Sequence, residues 1–243
     1  MDLLDRKQLP AFMKLPYQFD MDKILEAFEP FRDTTTYQDL NYKNPDAAYL
    51  QLGKEKEFHL NKFIHKDEQG QGTSNFYRQL SLTEYNGDAS DITPTTTSIA
   101  TFKTSADKAS KHYNPVLDER NYTRRKDICT GYWNTILDTF KAPITRTRFA
   151  YLAPNYEIKP HIDYNTTYSI RFHIPIITNS DCYLCAYDYD GNIIKQHCPA
   201  DGSVWFLNTG MKHWAENNGT EGRIHLIISL NGQEDINDAT RIC

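Results

Sequence analysis

Hydrophobic and polar positions change their rhythm twice along the chain. Near the N-terminus, Asp20 followed by 21-MDKILEAFEPF-31 sets Ile24, Leu25, Phe28 and Phe31 on one stripe at helical spacing. Asp20 is the natural N-cap of this predicted helix and Pro30 its stop. From 32 to about 120 the sequence is polar and weakly periodic, and the short alternating pieces 48-AYLQL-52 and 76-FYRQLSLT-83 read as strands. The stretch 86–110 reads as a long loop: a surface connection in its plain reading, a substrate-contacting lid in its functional one. A second amphipathic helix is predicted over 124-RRKDICTGYWNTILDTF-140, burying Ile128, Trp133, Ile136, Leu137 and Phe140.

After Pro143 the texture becomes that of a β protein. Segments 144–152, 167–176, 182–189, 192–197, 203–207 and 223–230 are short, rich in Tyr, Ile, Val and Phe, and separated by Gly, Asn, Asp or Pro. Asp190-Gly191 between two such runs predicts a hairpin, because glycine accepts the positive φ of a tight primed turn. The expectation is an α+β, mainly β protein in which helices buttress an antiparallel barrel or sandwich. At 243 residues it fits one domain: 1–143 as helical support and substrate or lid region, 144–232 as barrel core, 233–243 as tail.

Composition narrows the partners. A net charge of −5 argues against nucleic acid, whose binders carry a basic excess. No apolar run approaches the roughly 20 residues that cross a bilayer, and MDLLDRKQLP lacks the features of a signal peptide, so no membrane and a cytoplasmic address are expected. Five cysteines (129, 182, 185, 198 and 243) suit a reducing compartment. Cys182 and Cys185 have CxxC spacing, for which a structural zinc is the minor alternative to small residues in a barrel wall.

Against the apolar strands a few polar residues stand out: His161, Asp163, Arg171, His173, His213 and Arg223. Alternation along a strand puts Arg171 and His173 on one face with Ser169, and Ile170, Phe172 and Ile174 on the other. Likewise Arg223 and His225 oppose Ile224, Leu226 and Ile228. A charge inside an apolar strand costs on the order of 3–5 kcal/mol when nothing pairs it. Two imidazoles and one carboxylate make a three-ligand face for Fe(II) with positions left open, and an arginine suits a planar carboxylate. A dicarboxylate bound to a dication and two arginines would neutralise such an interior, and a small barrel holds one ligand.

Each residue also has a plainer reading. A lone interior histidine is usually a hydrogen-bonded core residue, and His225 divides between packing and support of a neighbour. His59, His65, His112 and His197 read as surface or structural. Tyr151, Tyr164, Asn165, Trp205 and Trp214 border the same segments, with core packing as their plain reading. A barrel that binds without chemistry and a zinc hydrolase are the competing classes.

The segments 151-YLAPNYEIKPHIDYN-165, RFHIPI, WFLNTGMKHWAENN and GRIHLIISL resemble the aspartyl/asparaginyl β-hydroxylase family of Fe(II)/2-oxoglutarate oxygenases, which includes cis-type proline hydroxylases. The resemblance covers about residues 145–232. It implies a double-stranded β-helix (a cupin-type jelly roll) with Fe(II) held by His161, Asp163 and His213, and with O2 as co-reactant. It implies 2-oxoglutarate chelating the iron, its distal carboxylate on Arg223 or on the Arg171/His173 pair. Asp163 stands where halogenating relatives have a small residue, so hydroxylation is implied. A free amino acid or similar small molecule is the expected substrate, and an Asp or Asn side chain in a peptide the alternative.

Overall fold

The computed structural model describes residues 3–34, 38–39, 76–86 and 118–239. The strand expected at 48–52, the loop from 87 to 110, His59, His65, His112 and Cys243 lie outside the described residues.

Two antiparallel sheets form the body. The larger has the order β1 (Phe12–Gln18), β11 (Ser203–Leu207), β8 (Ile170–Ile177), β13 (Arg223–Leu230), β6 (Ile144–Leu152), β3 (Tyr77–Ser81), β2 (Gln38–Asp39). The smaller has β10 (Ile193–Gln196), β9 (Cys182–Tyr187), β12 (His213–Asn217), β7 (Tyr156–His161). From β6 to β13 the chain supplies the large sheet through β6, β8, β11 and β13, and the small sheet through β7, β9, β10 and β12. This interleaving is the double-stranded β-helix that the resemblance implied. Strands β4 (Thr83–Glu84) and β5 (Arg124–Arg125) pair separately.

The larger sheet is apolar on its outer face, and the helices cover that face. Asp20 caps α1 (Met21–Phe28), accepting from the backbone N–H groups of Asp22 and Lys23. The helix buries Ile24 and Phe28, while Pro30 sits within a following 3-10 turn, Glu29–Phe31, that prolongs the element by one turn. Phe28 and Trp133 both meet the ring of Phe149 edge-on, with centroids 5.3 and 4.9 Å apart. Ile170, Phe172, Ile174, Ile224, Leu226 and Ile228 join the same core, on the faces that alternation assigned them.

The second predicted helix is shorter than expected. Helix α2 is Tyr132–Thr139; Arg124 and Arg125 belong to β5, and Ile128 is 37% exposed while Cys129 is buried. The cause lies in competing partners. Arg124 pairs with Glu84, and Lys126 N–H donates to the Leu82 carbonyl, so the backbone here completes a small sheet. Gly131, at φ 56°, then turns the chain into the helix.

The hairpin at Asp190-Gly191 forms between β9 and β10, with a different turn. Gly191 N–H donates to the Asp188 carbonyl and Asp188 N–H to that of Asn192. Gly191 has φ 85° and Asp190 no positive φ, so a three-residue loop with a left-handed glycine replaces the two-residue primed turn.

Candidate active site

Two strands of the smaller sheet carry the histidines. His161 ends β7 and His213 begins β12, and the two are register partners across the pair. Their rings lie 4.4 Å apart between centroids. Asp163 follows His161 by two residues, its backbone N–H tied to the Thr209 carbonyl at 2.9 Å. Its carboxylate meets both rings: Oδ1 is 3.8 Å from His161 Nε2, and Oδ2 is 3.9 Å from His213 Nε2.

The opposite ring nitrogens are engaged. His161 Nδ1 is 2.8 Å from the Lys159 carbonyl, and His213 Nδ1 is 2.9 Å from that of Met211. A carbonyl only accepts, so each Nδ1 carries a proton and each ring turns its Nε2 toward Asp163. Burial, with His161 beside it, lowers the His213 pKa to about 4, so that imidazole is neutral at physiological pH. Burial alone would raise the Asp163 pKa, but the Arg171 guanidinium and the two histidines hold it well below the usual carboxylate range. Among the described residues this is the one cluster of His, Cys, Asp or Glu able to grip a cation, its donor atoms all within 4.8 Å of one another.

The cluster opens on a cleft lined by both sheets. Three arginines line it: Arg171 from β8, Arg223 from β13 and Arg148 from β6. Arg171 donates to Asp163 through Nη1 and to Glu119 through Nη2, the latter at 3.3 Å. Arg223 Nε donates to His225 Nε2 at 2.9 Å, and His225 in turn approaches His173. Burial, followed by the nearby Arg223 charge, drives both His173 and His225 well below the ordinary imidazole pKa. Two neutral imidazoles thus sit among three cations, which is an interior suited to a small anion.

The structure lines one cavity with five of the six residues singled out by the sequence and sets the sixth, Asp163, against His161 and His213, with His225 behind Arg223. Sequence reasoning missed Arg148 and Glu119. Arg148 had the same signal as Arg171, a charge of inward parity within the strand run ITRTRFAYL; Glu119 had none. Of the bordering residues, Trp214 lines the cleft. Trp205 packs between the sheets, Tyr151 abuts Gly222 beneath Arg78, Tyr164 stacks on Tyr168, and Asn165 bonds the Arg6 backbone. His197 is half-buried and bonds the Cys182 carbonyl. Cys182 bonds Asn217, and the Cys185 thiol is pushed up to about 12 by burial beside Glu216, which suits an inert wall residue.

A family model described as aspartyl/asparaginyl β-hydroxylase matches residues 47–232. The chain belongs to this family. This family member is a hydroxylase, and among its described residues no helix is long and apolar enough to cross a membrane. A search of curated proteins returns no match. Similar solved structures include an oxidoreductase of the 2OG-Fe(II) oxygenase family from Burkholderia pseudomallei, at 12% identity over 66% of this chain and 71% of that one, TM-score 0.37. A prolyl-4-hydroxylase from Pseudomonas putida is 12% identical over 90% and 91%, TM-score 0.44. A cupin domain from Bordetella pertussis is 13% identical over 38% and 88%, TM-score 0.29.

Proposed function

We propose that this β-hydroxylase family member inserts oxygen into a C–H bond of a free amino acid or similar small molecule, consuming O2 and 2-oxoglutarate and releasing succinate and CO2. His161, Asp163 and His213 would hold Fe(II) and with it the keto-acid end of 2-oxoglutarate, whose distal carboxylate would meet Arg223 or else the Arg171/His173 pair. The observation that carries this reading is the pair of Nε2 atoms turned toward one carboxylate beside an arginine-lined cleft. Two imidazole nitrogens and one carboxylate oxygen on one side are the donor set of a facial triad. When bound, iron and 2-oxoglutarate supply the oxygen-activating chemistry.

The protein's own part is positioning and charge. The Lys159 and Met211 carbonyls engage the Nδ1 side of both rings and so leave Nε2 as the nitrogen aimed at a metal. Asp163 brings a full negative charge at neutral pH. Arg223, 4% exposed, offers a desolvated guanidinium at which a charge-assisted pair with a carboxylate is strong.

The test is 2-oxoglutarate turnover with Fe(II), free amino acids and short Asp- or Asn-containing peptides, followed by mass spectrometry. A substrate-dependent rise in succinate with a gain of roughly 16 daltons, one oxygen atom, is expected for an amino acid. Product formed equally without O2 would move the site to a hydrolase. Gain on peptides alone would replace the small-molecule substrate.

A further inference from the structure

Within the cluster of His161, Asp163 and His213, a sheet fixes two members and loops carry the third. His161 and His213 are register partners across β7 and β12, so strand pairing sets their separation. Asp163 lies two residues past the end of β7, beyond that pairing. Its backbone N–H reaches instead to the loop before β12, at the Thr209 carbonyl, 2.9 Å away. The place of this residue against the two rings therefore depends on how two loops meet: 163–166 after β7 and 208–211 before β12.

A segment 159 positions before Asn165 joins those loops. Around the short 3-10 turn Arg6–Gln8, the chain hydrogen-bonds to both. On the first loop, Asn165 Oδ1 accepts from the Arg6 backbone N–H at 3.2 Å, and Asn165 Nδ2 donates to Asp5 Oδ2 at 2.7 Å. Thr166 Oγ1 donates to the Leu4 carbonyl at 2.8 Å. On the second loop, the Gly210 carbonyl accepts from Arg6 Nη1 at 3.1 Å. Asn208, fully buried, donates through Nδ2 to the Arg6 and Leu9 carbonyls at 2.9 and 3.2 Å. Gly210 permits this approach, since an added Cβ would lie 2.8 Å from Arg6 Cβ. Arg6 thus grips one loop by its N–H and the other by its guanidinium and carbonyl.

We propose that segment 4–9 is a brace for the metal site, with Asn165 and Arg6 as positioning residues: it fixes the 163–166 loop against the 208–211 loop and so holds Asp163 in place beside the two histidines. This rests on reading His161, Asp163 and His213 as the ligand set. The brace acts by geometry, and charge alone predicts the opposite sign for its loss.

The experiment is calorimetric titration of the full chain with Mn(II) alone, well below the melting temperature, where a merely structural role leaves affinity unmoved. Two variants cut the brace while making the local field more favourable to a cation. Asn165→Asp sets a carboxylate against Asp5 and adds a negative charge two residues from Asp163. Arg6→Ala removes a positive charge together with the bond to Gly210. Electrostatics alone would tighten Mn(II) in both. Positioning predicts that each weakens it about 10-fold, the low end of what an outer partner of a metal ligand is worth. The reciprocal swap, Asp5→Asn with Asn165→Asp, again faces a donor with an acceptor and should return affinity to within about 3-fold of wild type. Unchanged or tighter binding in either single variant, or no recovery in the swap, overturns the proposal. A wild-type chain that takes up no Mn(II), or whose uptake is unchanged in His213→Ala, overturns the ligand set itself. Should Asn165→Asp melt below the assay temperature, Arg6→Ala, which keeps the Asn165 contacts, decides.

Discussion

At Asp163 two electrical demands meet. Burial favours the protonated acid, yet the Arg171 guanidinium beside it keeps the group ionised, and the balance falls clearly toward charge. Removing that charge should therefore do more than delete one ligand. In Asp163→Gly, Arg171 stays beside His161 and His213 with its positive charge less balanced. Metal affinity should fall and hydroxylation cease, as Mn(II) titration and product mass would read; full turnover in this variant would remove Asp163 from the ligand set. Arg223 sits at the other end of the cavity and makes a different prediction. Arg223→Ala deletes one charge-assisted pair, about 1.5–3 kcal/mol, and should raise the half-saturating 2-oxoglutarate concentration about 10- to 100-fold. Metal binding should hardly change. Equal losses in both titrations would mean that Arg223 supports the barrel and not the cosubstrate.

Elements differed in how far the sequence disclosed them. Strands β6, β11 and β13 have the predicted bounds, because each lays an apolar face on the helices and alternation survives in the text. Strands β7 and β12, which carry the two histidines, gave no strand signal. In β7, Glu157 and Lys159 are exposed and Pro160 interrupts the run; β12 is buried on both faces, and its buried residues include Glu216 and Asn217. A strand whose inner face lines a polar cleft loses the hydrophobic rhythm by which strands are found. The ligands were thus legible as chemistry before the strands that hold them were legible as structure. The N-terminal strand β1 was invisible for another reason: it exists by pairing with β11, some 190 residues away. Gly202 guards that pairing. It has φ 83°, its carbonyl accepts from Phe19 N–H at 2.9 Å, and an added Cβ would lie 2.0 Å from the Phe19 carbonyl oxygen. Gly202→Ala should destabilise by more than about 1 kcal/mol, seen as a lower melting temperature. An unchanged melt would mean that β1 contributes little to the fold.

The whole molecule has two interiors of opposite character. Beneath the helices lies an apolar core; between the sheets lies a cavity holding buried arginines and the imidazoles of His173, His213 and His225. All three imidazoles have folded pKa values below that of a free histidine, His213 near 4 and the other two well below 6.5. The sign follows directly. Below about pH 6.5 the unfolded chain binds protons that the folded chain refuses, so stability is fully present above that value and falls as the pH drops. Each refused proton lowers stability by about 1.4 kcal/mol per pH unit, and three together by about 4. Asp163 adds to the loss below its free value of 3.8, because protonation removes the charge that Arg171 holds. Against a typical stability of about 5–15 kcal/mol, this should make the metal-free protein labile to acid below about pH 6.5. Mn(II) on His161 and His213 competes with protons for the same Nε2 lone pairs, so it should move the acid transition to lower pH. Urea midpoints from pH 7.5 to 4.5, with and without Mn(II), measure both effects. A flat profile down to pH 4.5 would mean that the barrel takes up protons without opening. A transition indifferent to Mn(II) would separate the acid lability from the ligand set.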